Sequence, residues 1–330
     1  MVRVETTNKL VLAALVVVTV AGGCAQPPME TAPPEARLAD ISLKFSPQQE
    51  DRYRVTTESR QSVNWQGPLP DQPVFQGGRN ISTVEMLFTQ RIQSVTEDGS
   101  ASAIITIDGL KYSSVIKDTP MLQFDSASIV DPNSPCARLI GQSYTITITP
   151  AGKVSDIDAA AARLAVEGSS DAHKIATRLL EDHTIQARHG TAVLPRPSRE
   201  KLSTGQVYKN TKDFTFGLMG SKAYERIYRV EQVQTRGDRV TAVIKMETVP
   251  SAPSVEELQE SQSQELSKKF DTAEDYTGEM IFDATAGRID RYNEQLELQW
   301  TLVEPAAEEG AEPLVLKMGA SRLYTLEKID

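Results

Sequence analysis

Three histidines, His173, His183 and His189, are the residues on which acid–base chemistry or zinc binding would draw first. If one helix carries them, their spacings of 10 and 6 residues turn them by roughly −80° and −120° about its axis. They then point in different directions and cannot converge as the i, i+4 pair that zinc sites use, so solvated helix histidines are expected. Nucleophiles are no better placed. No serine sits in a G-x-S-x-G elbow, and the sequence holds neither a phosphate loop nor a glycine-rich dinucleotide fingerprint. The acidic pairs Glu256-Glu257 and Glu274-Asp275 lack the ligand spacing of a calcium loop and read as solvated faces. Cys136 reads as a small buried hydrophobe, with a reactive thiol or an intermolecular bridge as the alternatives. No cofactor, metal site or enzymatic activity is expected.

The elements around these residues are mostly strands. Tyr53, Val55 and Thr57 alternate with polar neighbours, as do Val84, Met86 and Phe88. Residues 101–107 and 144–148 are rich in β-branched side chains, and the pattern returns at 214–216, 227–230 and 240–244. Residues 296–302 and 314–318 read as a closing hairpin. A weak repeat runs through the strands. Arg91-Ile92-Gln93-Ser94-Val95 with Gly99 parallels Arg229-Val230-Glu231-Gln232-Val233 with Gly237, and the turn at Gly152 parallels the turn at Gly287. The glycine-to-glycine distances are 53 and 50 residues. The expected fold is therefore mainly β (α+β), with two similar curved antiparallel sheet units and a central helical segment. The first unit spans 41–155, the helical segment 156–200, and the second unit 201–330 with a polar insertion at 254–275. Within the segment, Asp158–Ala165 reads as one helix and 170–189 as another, capped by Ser170 and ended by Gly190. Phe124-Asp125 and Phe282-Asp283 each read as a sheet edge with its turn, or as part of a ligand rim.

The start of the chain carries a different kind of signal. Arg3 and Lys9 precede an apolar run from Leu10 to Val20, which is too short to span a bilayer as a stable helix. Val20-Ala21-Gly22-Gly23-Cys24 then resembles a bacterial lipobox, with Ala21 standing where leucine is commonest. The resemblance implies removal of 1–23, a thioether-linked diacylglycerol on Cys24 and an acyl chain on the new amino group. An ordinary secretory signal beside an unrelated cysteine is the alternative. Several acyl chains make a durable anchor, since each buried methylene contributes about 0.8 kcal/mol. The proline pairs in 24–40 mark a tether; extended polyproline II at roughly 3.1 Å per residue would hold a domain about 40–50 Å from the bilayer. A disordered tail without a spacing role fits equally. Ala25 is not the aspartate that signals retention, which favours a bacterial cell-envelope location on the outer membrane, facing the periplasm.

The net charge of −10, or −11 without 1–23, argues against nucleic acid and against a surface that hugs anionic lipid. Lipobox, tether, curved-sheet repeats and central helices together resemble large bacterial lipoproteins of uncharacterised function. More loosely they are similar to the half-barrel carriers of the LolA/LolB and mycobacterial lipid-carrier type. That resemblance implies a bent sheet wrapping helices around acyl chains, with no individual residue carried over. Two functions compete: a structural or protein-interaction role with an envelope partner, and binding of a lipid or other apolar ligand in a groove. Val84, Met86, Phe88, Ile105 and Ile107 are the candidate groove lining. The stripe Ala172, Ile175, Ala176 and Leu179 is narrow, and aromatics are few at 6%. At most a modest groove is expected, which places the interaction role first.

Overall fold

Alternating strands that each bury one face need a second layer, and here the chain largely supplies it by curving its own sheet. The computed structural model describes residues 41–67, 77–128, 131–191, 194, 202–251, 269–304 and 312–329. The signal segment, Cys24, the tether and residues 254–268 of the polar insertion lie outside them. The first half holds β1 (Glu50–Gln66), β2 (Gly78–Val95), β3 (Ala101–Ile116), β4 (Thr119–Asp125), β5 (Ser143–Ile148) and β6 (Val154–Asp158). Then come α1 (Ala160–Ala165), α2 (Asp171–Leu179) and α3 (Asp182–His189). The second half holds β7 (Val207–Thr215), β8 (Ser221–Arg236), β9 (Arg239–Ser251), β10 (Asp271–Asp283), β11 (Arg288–Glu304) and β12 (Leu314–Ile329).

All twelve strands form one antiparallel sheet in the order β6-β5-β3-β2-β1-β12-β11-β10-β9-β8-β7, with β4 added beside β3. The two units thus share one sheet, joined where β12 pairs with β1 on one side and β11 on the other. The halves run head to tail: β6 to β1 and β11 to β7 follow the same order. The sequence repeat maps onto this order in detail. A bulge falls between Ile92 and Ser94 on β2 and between Val230 and Gln232 on β8, at equivalent places. Ile92 exchanges backbone hydrogen bonds with Gln48 and Gln49, both at 2.9 Å, just ahead of β1. Val230 does the same with Gly205 and Gln206, at 2.8 and 2.9 Å, ahead of β7. Gln48 and Gly205 share a positive φ, +67° and +85°. In strand order β1, β2, β3, β5 and β6 thus correspond to β7, β8, β9, β10 and β11, with β4 and β12 outside the repeat.

The sheet is strongly rolled. β7 and β11 are separated by three strands, a distance of about 19 Å in a flat sheet. Yet Lys212 of β7 forms an ion pair with Glu294 of β11, and the rings of Phe214 and Tyr276 lie 5.4 Å apart. The inward face carries the core, including Met86, Phe88, Ile105 and Ile107 in the first half and Tyr228, Ile244, Met280 and Phe282 in the second. Residues 41–45 cross one end of the structure. Leu43 N donates to Pro150 O and Lys44 N to Gly287 O, both at 2.8 Å, so this strap ties the β5–β6 turn to its repeat counterpart, the β10–β11 turn.

Three boundaries differ from expectation. β6 runs through Asp158, and Asp271–Asp275 of the supposed insertion are strand, paired with Glu297–Thr301 of β11. The expected helix over 170–189 is two helices, broken at Leu180–Glu181. A continuous helix would bring the polar positions Asp182 and His183 into line with Ala172, Ile175, Ala176 and Leu179. The break rephases the chain so that Leu180, Ile185, Arg188 and His189 are buried instead. Arginines satisfy the carbonyls at the break: Arg163 Nε donates to Leu180 O and Arg188 Nη2 to Leu179 O, both at 2.9 Å. Ser170 caps α2 as expected, accepting from His173 N. Phe124-Asp125 and Phe282-Asp283 end β4 and β10, and each aspartate accepts from backbone N–H groups of the turn that follows.

Candidate functional site

Between the inward face of the sheet and helices α2 and α3 lies an open cavity of about 1080 Å³. β1, β2, β12, β11 and β7 supply its walls, and α3 borders it through Gln186, Ala187 and Arg188. This is larger than the modest groove that the narrow α2 stripe suggested. Four aromatics, Phe214, Tyr276, Tyr292 and Tyr324, line it. Val84, Leu179 and Leu296 add aliphatic surface.

One end of the cavity is built from charge. Glu294 is 7% exposed and accepts hydrogen bonds from Arg226 Nη1 at 3.2 Å, Tyr276 OH at 3.1 Å and Tyr292 OH at 2.6 Å, besides its ion pair with Lys212. Burial alone would raise its pKa, but the cations Lys212 and Arg226 hold it below the usual carboxylate range. Burial, reinforced by Glu294, pushes both tyrosines up, so they remain protonated donors. Arg226 is 4% exposed and also donates to Asn210 Oδ1 at 2.7 Å. Two cations therefore share one carboxylate.

Two further arginines reach the same cavity. Arg188 is 5% exposed; its guanidinium donates to Leu179 O and lies 3.5 Å from Tyr144 OH, with no carboxylate in ion-pair range among the described residues. Tyr324 OH donates to Arg188 O at 2.8 Å, fixing α3 over β12. Arg322, half-buried on the inward face of β12, has no hydrogen-bond or ion-pair partner among the described residues, and burial lowers its pKa. The acids Glu58 and Asp213 border the cavity, but alternation turns their side chains away. Glu58 binds Arg60 and Thr83 on the other face, and Asp213 is exposed.

The five candidate lining residues separate. Val84 lines the cavity. Met86, Ile105 and Ile107 fill one another in the closed core. Phe88 packs between Tyr53 at 5.6 Å and His189 at 4.6 Å, beside a second cavity of about 50 Å³. His183 is exposed at the cavity rim, and His173 sits by its cap Ser170, with Nδ1 2.7 Å from Oγ. His189 corrects the expectation of solvated histidines. It is 9% exposed, its Nε2 lies 2.6 Å from Tyr144 OH, and burial with nearby Arg188 drives its pKa well below the ordinary value. Cys136 is buried, which raises its thiol pKa. Among the described residues no cluster of three or more His, Cys, Asp or Glu is arranged to hold a metal ion, and no helix is long and apolar enough to cross a membrane.

The charged cluster escaped the sequence reading, although its signal was present. Each member interrupts an inward stripe: Glu294 in Tyr292-x-Glu294-x-Leu296, Arg226 in Tyr224-x-Arg226-x-Tyr228, Lys212 between Asn210 and Phe214, and Arg322 between Ala320 and Tyr324. A charge at a position whose neighbours at i±2 are apolar is a charge placed indoors, a signal that is complete at Glu294, Arg226 and Arg322 and weaker at Lys212, where Asn210 is polar.

No known protein family and no curated protein matches the chain. Among solved structures, one described as lipid–protein interactions in lipovitellin aligns over 87% of this chain with 12% sequence identity and a TM-score of 0.38. The chain spans 26% of that protein's length, and a likeness of this degree assigns no function.

Proposed function

We propose that this chain is a non-catalytic binding module of the bacterial cell envelope, anchored through lipid on Cys24, whose cavity takes a lipid or another amphiphilic ligand. The observation that supports this most is the cavity of about 1080 Å³ between the rolled sheet and α2–α3. Ligand sites are commonly about 300–1000 Å³, mostly apolar, with a few placed polar groups. A purely structural role asks for a sheet and helix layer packed shut, as around Met86, Ile105 and Ile107. The second half leaves its inward face partly open instead, at the half-buried Phe214 and Tyr324, while Tyr292 and Leu296 beside the cavity are buried. The interaction role therefore ranks below ligand binding.

Native mass spectrometry of the Cys24→Ser protein, purified without detergent, tests the reading. A co-purifying amphiphile mass supports it. A clean apo mass, together with failure to bind the uncharged apolar dye N-phenyl-1-naphthylamine, returns the chain to a scaffolding role.

A further inference from the structure

The charge inside the cavity is opposite to the charge of the protein. The chain carries −10 overall, yet four buried or half-buried cationic side chains, Lys212, Arg226, Arg188 and Arg322, reach the cavity, with the exposed Lys153 at its rim, against one inward carboxylate, Glu294. Fully buried charges in folded proteins are almost always paired, because leaving one unpaired is costly, and a half-buried charge keeps only part of its hydration. Lys212 and Arg226 meet this rule by sharing Glu294. Among the described residues Arg188 is buried with only neutral partners, and Arg322 has none. The stripes that carry them are otherwise apolar or aromatic, so an accidental surface position does not explain them.

Resting on the ligand-cavity reading above, we infer that the cavity selects amphiphiles with an anionic head group, carboxylate or phosphate, which Arg322 engages directly while Arg188 and the cation-rich Lys212–Arg226–Glu294 cluster supply the surrounding positive field. A guanidinium presents parallel N–H donors that match either anion, which a lysine ammonium does not. Val84, Leu179, Phe214 and Leu296 line the same cavity and suit the apolar tail. The shared chemistry is the anion; its source is either the head of an amphiphile or a free ion, and the measurement separates the two.

The test is displacement of N-phenyl-1-naphthylamine from the full-length Cys24→Ser chain by four C12 compounds: dodecanoate, dodecyl phosphate, dodecanol and dodecyltrimethylammonium. Inorganic phosphate is titrated separately by calorimetry. The two anions are expected to bind about tenfold or more tighter than dodecanol, with the cation weakest. Arg322→Gln brings the anions to within about threefold of dodecanol and leaves dodecanol unchanged. Arg322→Lys, which keeps the charge and loses the fork, falls between. Because Arg322 has no partner among the described residues, Arg322→Gln is expected to melt close to its parent; if it does not fold, the ranking of the four compounds on the parent still decides. Equal binding of dodecanol and dodecanoate overturns the head-group inference and leaves the ligand cavity standing. Failure of the dye and all four compounds to bind overturns the cavity reading itself. Inorganic phosphate binding as tightly as dodecyl phosphate makes the site one for free anions and overturns the amphiphile.

Discussion

Arg226 Nη1 and Glu294 Oε2 lie 3.2 Å apart although β9 and β10 stand between the strands that carry them. The pair exists only because the second half of the sheet rolls over on itself, and it marks the point where that roll is held by charge. Removing one partner leaves the other buried and uncompensated, which is the expensive way to break such a pair.

Glu294→Gln is accordingly expected to destabilise the fold by about 3–5 kcal/mol, measured by urea denaturation. Replacing both partners with apolar residues, Arg226→Met with Glu294→Leu, is expected to be milder than the single change. The pH dependence has a definite sign. Glu294 has a depressed pKa in the folded state, so its contribution is complete above the ordinary carboxylate range and disappears as pH falls through its folded value. A Glu294→Gln variant no less stable than the parent at pH 7 rejects this account.

His189 gives a second, separable pH signature. Burial and Arg188 depress its pKa below 6.5, so the unfolded chain takes up a proton that the folded chain refuses. The stability it contributes is full above pH about 6.5 and declines as pH falls below that value. His189→Phe is expected to flatten the slope of unfolding free energy between pH 6.5 and 5, a window in which Glu294 contributes little. An unchanged slope would mean that His189 titrates normally.

Gly152 closes the β5–β6 turn with φ +78°, and a Cβ there would sit 2.5 Å from Thr191 O. Both the dihedral and the contact oppose any side chain. Gly152→Ala is expected to lower stability by at least about 1–2 kcal/mol in the same urea assay, more than an alanine at an exposed turn glycine such as Gly237. Equal effects at the two positions would remove the role of the Thr191 contact.

Cys24→Ser tests the anchor. The parent is expected in the membrane pellet and the variant mostly in the soluble fraction. A variant that stays in the pellet defeats the lipid anchor and leaves the cavity readings intact.

Much of this architecture is visible in the sequence, and the reasons are local. Val84-x-Met86-x-Phe88 has a period of 2, and the turn glycines at 99, 152, 237 and 287 mark the duplicated hairpins. The break at Leu180–Glu181 is not visible, because what decides it is which side chains the sheet can bury. The burial of His189 follows from that break. The site was half legible: Glu294, Arg226, Lys212 and Arg322 stand out as charges on inward stripes. Which of them meet depends on sheet curvature, and that is a property of twelve strands together, not of any one stripe.

The place of β12 has a consequence for how the protein must assemble. The last strand in the chain is not at an edge; it is the central seam, pairing Glu327 with Arg54, 273 residues earlier. Until it arrives, β1 and β11 each present a long unpaired margin, the kind of surface that invites pairing with another chain. Loop closure over such a separation is slow, and a waiting half-sheet is prone to aggregate. Pairing of β12 with both β1 and β11 is what joins the two halves of the sheet. A sheet of this design keeps both margins open until its sixteen-residue seam strand is seated.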